Sequence, residues 1–286
     1  MKALLKRFVN RIICRFGARY IRELQDLRNE VKTLQFFLNK LCDVKQVTQA
    51  SGELREYQKA CSALLNEVGK ELRANEIEYW ISFGTLLGAV RHGGFIPWDD
   101  DVDLCIRRED MERAEAVLKR KYEGSKFEVR TYCNYEQHFQ IRVKDETNRI
   151  GLDLFPVSQH YEREFTKDVE TRVNQQIATA HACFKNLCQA NEDYHGDITR
   201  LRKEVARIQD EMILGGKEPE PTGIIFVALD FRLPYPHSAF AYDMIYPLSE
   251  IEFDGQVHPC PNQPEAVLRT LYGDFMAFPR NLYIEK

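Results

Sequence analysis

The sequence predicts an α+β protein built on a mixed sheet with flanking helices, and three observations carry that reading. Short apolar runs of strand character, Ile77 to Ser82, Asp101 to Ile106, His138 to Lys144 and Ile150 to Val157, interleave with helical periodicities at Glu53 to Ala74 and Glu109 to Tyr122. Residues 161–216 are polar, charge-rich and helical, which reads as an insertion within the body. The first fifty residues form a separate amphipathic and heptad-patterned helix, so the chain divides into an appendage, 1–50, and a main body, 51–286.

Composition narrows the function classes. A chain of 286 residues with 44% hydrophobic content can bury one large core. The net charge of -4 gives no basic excess of the kind that nucleic-acid binding draws on, so no nucleic-acid partner is expected. The 8 cysteines are scattered and no secretory signal is visible, which reads as reduced thiols in a cytoplasmic protein. No stretch approaches the ~18 uninterrupted apolar residues of a membrane span.

Residues 1–22 hold Lys2, Lys6, Arg7, Arg11, Arg15, Arg19 and Arg22 but no acid, while Leu5, Phe8, Val9, Ile12, Ile13, Phe16 and Tyr20 recur at helical spacing. A basic amphipathic helix of this kind suits the surface of an anionic membrane, placing the protein peripherally on the inner face; packing on the protein's own body or on a partner is the alternative. From Tyr20 the apolar positions alternate by four and three, through Leu24, Leu27, Val31, Leu34, Leu38 and Leu41. That heptad seam, about three repeats long, allows a homo-oligomer through residues 20–41 or packing against the body. Gln49 to Gly52 reads as the joint.

The helix Glu53 to Ala74 places Leu54, Tyr57, Cys61, Leu64, Leu65, Val68 and Leu72 on one face, as a core helix would. After the buried strand Ile77 to Ser82, Gly84 and Thr85 open a helix, and such a turn presents backbone N–H groups and a hydroxyl to an anion. The loop that follows brings Arg91, His92, Gly93, Gly94 and Trp98. Then come Asp99, Asp100, Asp101 and Asp103. A strand starting near Asp101 would put Asp101, Asp103 and Cys105 on one face, with the two carboxylates' Cα atoms about 6.5 Å apart. Two such carboxylates can converge on one hard cation, for which Mg²⁺ is the natural guest. Asp100, on the opposite phase, reads as a solvated or capping residue. Asp153 lies between Leu152 and Leu154, where an aspartate is costly unless it is paired or metal-bound. Arg142 on the neighbouring strand is either its ion-pair partner or a phosphate contact.

The stretch GTLLGAVRHGGFIPWDDDVDLCI closely resembles the signature of the LicD family of phosphotransferases, which includes fukutin and its relatives, and the C-terminal stretch from Tyr246 to Pro279 resembles the tail of LicD proteins. The resemblance covers about residues 54–157 and 245–279. It implies a nucleotidyltransferase-like fold, with Gly84 and Thr85 for the phosphate-binding turn, Asp101 and Asp103 for the metal pair, Asp153 for the third carboxylate as metal ligand or base, and Asp99 near the metal. Arg91 and His92 would face nucleotide or phosphate.

It further implies a Mg²⁺- or Mn²⁺-dependent transfer of a phospho-alcohol, phosphocholine-like, from a CDP-linked donor to a sugar hydroxyl of a cell-surface polysaccharide or glycolipid, with release of CMP. Two rivals stand beside it: transfer of NMP from an NTP to a small molecule, and an inactive membrane-associated coiled-coil scaffold. Tyr272 and Asp274 either help hold substrate or end a helix. In the insertion, His181, Cys183, Cys188 and His195 could be assembled into a zinc site, but Cys-x4-Cys in a helical stretch is a loose spacing and ordinary packing is the expectation.

Overall fold

The computed structural model describes residues 2–132, 138–145, 150–164, 166–190, 203–204, 207, 217, 219–227 and 239–278. Its chain forms two compact units, one of Met1–Val47 with Phe275–Lys286 and the other of Thr48–Asp274. The expected joint at Gln49 to Gly52 lies just inside the second unit.

In the first unit a single helix, α1 (Lys2–Leu41), runs through both the basic segment and the heptad seam. The side chains of nearly all the basic segment fall outside the described residues, so its amphipathic character rests on the sequence alone. Among the described residues no helix is long and apolar enough to cross a membrane.

The second unit is organised on a mixed sheet. Its strands are β1 (Tyr79–Ile81), β2 (Asp103–Arg107), β3 (Phe127–Tyr132), β4 (His138–Val143), β5 (Gly151–Gln159), β6 (Ile225–Val227) and β7 (Ala239–Phe240). The order is β1-β2-β5-β4-β3, with β6 also on β5 and β7 on β6. All pairs are antiparallel except β2 with β5, which run parallel. β5 is therefore central, hydrogen-bonded on one side to β2 and on the other to β4 and then β6, and its buried residues Leu152, Leu154 and Val157 reflect that position. The antiparallel pair β4/β5 is the hairpin the alternation predicts; its tip, residues 146–149, lies outside the described residues.

α2 (Gly52–Ala74) buries Cys61, Leu64, Leu65, Val68 and Leu72 against α4 (Met111–Lys121) and β5. α3 (Phe83–His92) follows β1 directly and ends at Gly93, whose φ of 68° lets the chain turn back toward the sheet. After β5 comes α5 (Lys167–Ala190). The remainder of the insertion, including the expected break near Gly196, is almost entirely outside the described residues, as are the side chains of His181, Cys183 and Cys188 and all of His195. The single turn α6 (Tyr242–Ile245), the hairpin β8 (Ser249–Phe253) and β9 (Gln256–Cys260), and α7 (Pro264–Tyr272) complete the body.

The structure corrects three sequence expectations. The aspartate-bearing strand begins at Asp103, so Asp101 lies in the approach to β2 and not in its pleat. β3, an edge strand, was not expected; its Glu128 and Arg130, two residues apart on one face, pair with each other, Oε1 to Nε at 2.5 Å. Arg142 lies opposite Gly151, not Asp153, and its Nε is 3.6 Å from Glu128, so it is not the ion-pair partner of Asp153.

A candidate metal and phosphate site on adjacent parallel strands

The parallel register of β2 and β5 sets Asp103 directly beside Asp153. The Asp153 N–H donates to the carbonyl of Val102 at 2.9 Å, which fixes the first residue of the pairing. Asp101, arriving from the loop, joins them: one ligand oxygen each from Asp101, Asp103 and Asp153 lies within 4.8 Å of the other two. Asp99, Asp100 and Asp101 meet the same spacing, so Asp101 is common to both groups. Asp100 is thus half-buried within the cluster and is not simply the solvated residue its strand phase suggested.

Burial and mutual proximity leave Asp99, Asp103 and Asp153 hard to ionise. Burial, then the charges of Asp101 and Asp100, push Asp99 up to about 7 against the pull of Arg91. Asp153 is likewise pushed up to about 7, mainly by burial with Asp101 adding to it, and the Gln140 amide opposes the shift. Asp103 is held well above the usual carboxylate range by burial and by Asp101, Asp153 and Asp99. A cluster that resists its own ionisation is one that a cation would relieve, and oxygen-only donors at this spacing fit a hard divalent ion such as Mg²⁺ or Mn²⁺.

The residues of the glycine turn act on Asp103. The Gly84 N–H hydrogen-bonds the Asp103 carboxylate, and the Asp103 N–H donates to the Thr85 hydroxyl at 2.8 Å. Ser82 N–H donates to the Asp103 carbonyl at 3.1 Å. Thr85 is buried, so its contact with Asp103 is made in the interior. A Cβ on Gly84 would stand 2.8 Å from Asp99 Oδ2, which is why only glycine lets the acidic loop approach here. The turn is entered through Phe83, at φ 46° with its ring edge-on to Phe155, a conformation that costs about 1–3 kcal/mol in a non-glycine residue and is sustained by packing.

Arg91 is buried, 5.8 Å over the Trp98 ring, and its Nε donates to His92 Nε2 at 3.0 Å. Burial lowers its affinity for a proton and Asp99 restores part of it. His92 is depressed to about 4 by burial and the Arg91 charge, so it is a neutral acceptor and not a second cation. Tyr272 bears electrostatically on Arg91, at the end of α7.

Several supporting residues escaped sequence reasoning. Gln58, fully buried on the inner face of α2, donates from one amide to the carbonyls of Ile96 at 3.3 Å and Asp99 at 2.9 Å. Cys61 Sγ lies 3.7 Å from the Asp100 carbonyl. On the other side, Asp254 at the tip of the β8/β9 hairpin donates its N–H to the Gly93 carbonyl at 2.9 Å and accepts from Arg55 Nη2 at 2.7 Å. Gln140 Nε2 donates to Asp153 Oδ2 at 3.1 Å from the facing position on β4. The one available signal was a lone glutamine at an otherwise apolar stretch of helix face; the strand and loop partners become visible only once the register is known.

Residues 76–191 match the LicD/FKTN/FKRP nucleotidyltransferase domain model. The match runs through α5, so the first part of the insertion belongs to the family's domain, beyond the limits drawn from the motifs. The chain is 43% identical over 253 residues to the lipopolysaccharide cholinephosphotransferase LicD of Haemophilus influenzae, covering 79% of this chain and 92% of that one. It is 40% identical over 89 residues to the ribitol 5-phosphate transferase FKRP of Homo sapiens, 30% of this chain and 18% of that one. A Rickettsia typhi protein of uncharacterised role is 34% identical over 134 residues; that match spans 42% of this chain and less than half, 43%, of its relative. With close identity running through nearly all of one member, and the domain model lying over Asp101, Asp103 and Asp153, this chain belongs to the LicD/FKTN/FKRP family, in which relatives are named as phosphotransferases.

Proposed function

We propose that the protein transfers a phospho-alcohol from a CDP-linked donor to a sugar hydroxyl of a cell-surface polysaccharide or glycolipid, with release of CMP. The observation that carries this reading is the convergence within 4.8 Å of Asp103 and Asp153, on two adjacent parallel strands, with Asp101 from the loop before β2. The identity with a lipopolysaccharide cholinephosphotransferase favours a phosphocholine-like group and a lipopolysaccharide-like acceptor.

A bound Mg²⁺ or Mn²⁺ would neutralise phosphate oxygens and steady the leaving group. Asp101, Asp103 and Asp153 would hold it, with Asp99 alongside. The chain's own residues then divide the remaining work. Gly84 and Thr85 keep Asp103 aimed, Gln140 keeps Asp153 aimed, and Arg91 contributes a buried positive charge on the Asp99 side of the site for the donor's phosphates. The acceptor oxygen forms a new bond to the phosphorus that carries the alcohol. The bond from that phosphorus to the bridging oxygen breaks, and CMP leaves with the electron pair. A carboxylate of the cluster would take the acceptor's hydroxyl proton.

The basic segment 1–22 fits a peripheral position on the inner face of the membrane, where a lipid-linked acceptor would be met. Incubation with Mg²⁺ and a panel of CDP-alcohols should give CMP, most readily from CDP-choline. Pyrophosphate from an NTP, with no CMP from any CDP-alcohol, would instead establish nucleotidyl transfer.

A further inference from the structure

We infer that α1 pairs with α1 of a second copy of this chain as a parallel, in-register coiled coil. Tyr20, Leu24, Leu27, Val31, Leu34, Leu38 and Leu41 stand between 46% and 79% exposed along one side of the helix. Their spacing assigns Leu24, Val31 and Leu38 to position a and Tyr20, Leu27, Leu34 and Leu41 to position d, the arrangement that a facing helix covers with knobs in holes.

Among the described residues, the C-terminal segment of the same unit meets α1 beside that seam. Gln35 Nε2 donates to the Phe278 carbonyl at 3.2 Å, and the Phe278 N–H donates to Asn39 Oδ1 at 2.8 Å. Gln35 and Asn39 occupy positions e and b, so the segment lies on the flank next to position a and not across a and d.

The flanking charges select both the partner and its direction. In a parallel pair each position g meets position e of the other helix five residues on. Glu23 then faces Arg28 of the second copy, Glu30 faces Gln35, and Phe37 faces Cys42, with no like charges opposed. The twofold axis repeats the Glu23–Arg28 pair. An antiparallel pair sets g against g and e against e, which opposes Glu30 to Glu30 in one register and to Phe37 in the other and makes no Glu–Arg pair in either. Only the parallel direction repeats an attractive pair along the seam. The parallel arrangement also brings the two cationic segments, residues 1–22, to the same end of the assembly.

The inference is independent of the reaction and is tested on the full chain in lipid-free buffer. Sedimentation equilibrium should give twice the monomer mass, and Leu27→Glu with Leu34→Glu should give the monomer mass with the body's thermal unfolding unchanged. Glu23→Arg should weaken the dimer several-fold, and adding Arg28→Glu should restore it, a rescue that also carries the test if the seam variant aggregates. With Cys42 replaced by serine, Leu41→Cys, at position d beside its own counterpart, should cross-link under mild oxidation; an antiparallel pair would hold these residues roughly 25 Å or more apart. A monomeric wild type, as when the seam is taken by the protein's own body or by lipid, would overturn the pairing, and so would a dimer indifferent to the seam variant. A dimer with neither charge rescue nor the Leu41→Cys cross-link would overturn its direction.

Discussion

Asp103 and Asp153 face each other across a parallel strand pair, and Asp101 raises the cost of ionising both. In the metal-free protein this repulsion opposes folding. Asp153→Asn should therefore raise the Tm measured in EDTA by a few degrees while removing the gain that Mg²⁺ gives the wild type. The pH dependence follows from the same groups. Asp99 and Asp153 rise from their ordinary 3.8 to about 7 in the folded state, so their unfavourable contribution is absent below about 4, grows as pH rises from there to about 7 and is constant above it. His258 runs the other way. Burial lowers it from 6.5 to about 4, so stability is intact above 6.5 and is lost as pH falls through that window toward 4. The raised carboxylates of Asp99, Asp103 and Asp153 outnumber the lowered histidines His92 and His258 over this window, so the Tm in EDTA should fall as pH rises from about 4 toward 7, and Mg²⁺ should flatten that fall. Of the site residues, Asp153 was legible because an aspartate between two leucines of an apolar strand needs a partner. Gln140 was not, since a glutamine on a strand acquires meaning only when the register sets it opposite Asp153.

The acidic loop is held from two sides by elements far from it in sequence, the inner face of α2 and the tip of the β8/β9 hairpin. Gln58→Ala would leave the buried carbonyls of Ile96 and Asp99 without their amide donor, at a cost of about 1–3 kcal/mol. It should also weaken Mn²⁺ binding by about tenfold, as loss of a group supporting metal ligands does. Calorimetric titration checks the second effect, and unchanged affinity would show that the loop holds its shape unaided. At this scale the alternation of HFQIRVK with IGLDLFPV and the helical spacing of α2 were readable, because burial on one face writes itself into the residue pattern. β3 was missed because its alternating charges, Glu128 and Arg130, blend with the lysines and glutamates just before it. The start of β2 was placed two residues early because Asp101 keeps strand phase while lying in the loop.

For the molecule as a whole, the mixed sheet and the candidate site lie in the unit Thr48–Asp274, and the basic and heptad segments lie in α1 of the other. A protein lacking residues 1–50 should keep turnover on a soluble acceptor and lose binding to anionic liposomes; unchanged liposome binding would remove the membrane role assigned to that segment. The family was legible in one run of residues because glycine, basic and acidic positions at fixed spacing specify a site more narrowly than periodicity specifies a fold. The direction of α1 pairing required the exposure of the seam as well as its sequence. CMP formed from CDP-choline and Mg²⁺ by the wild type, beside Asp103→Asn, is the most direct measurement of the proposed chemistry. The expected result is CMP release that EDTA abolishes and that the variant loses by at least about a hundredfold while remaining folded. CMP release that survives both EDTA and the loss of Asp103, or no CMP at all, would contradict it.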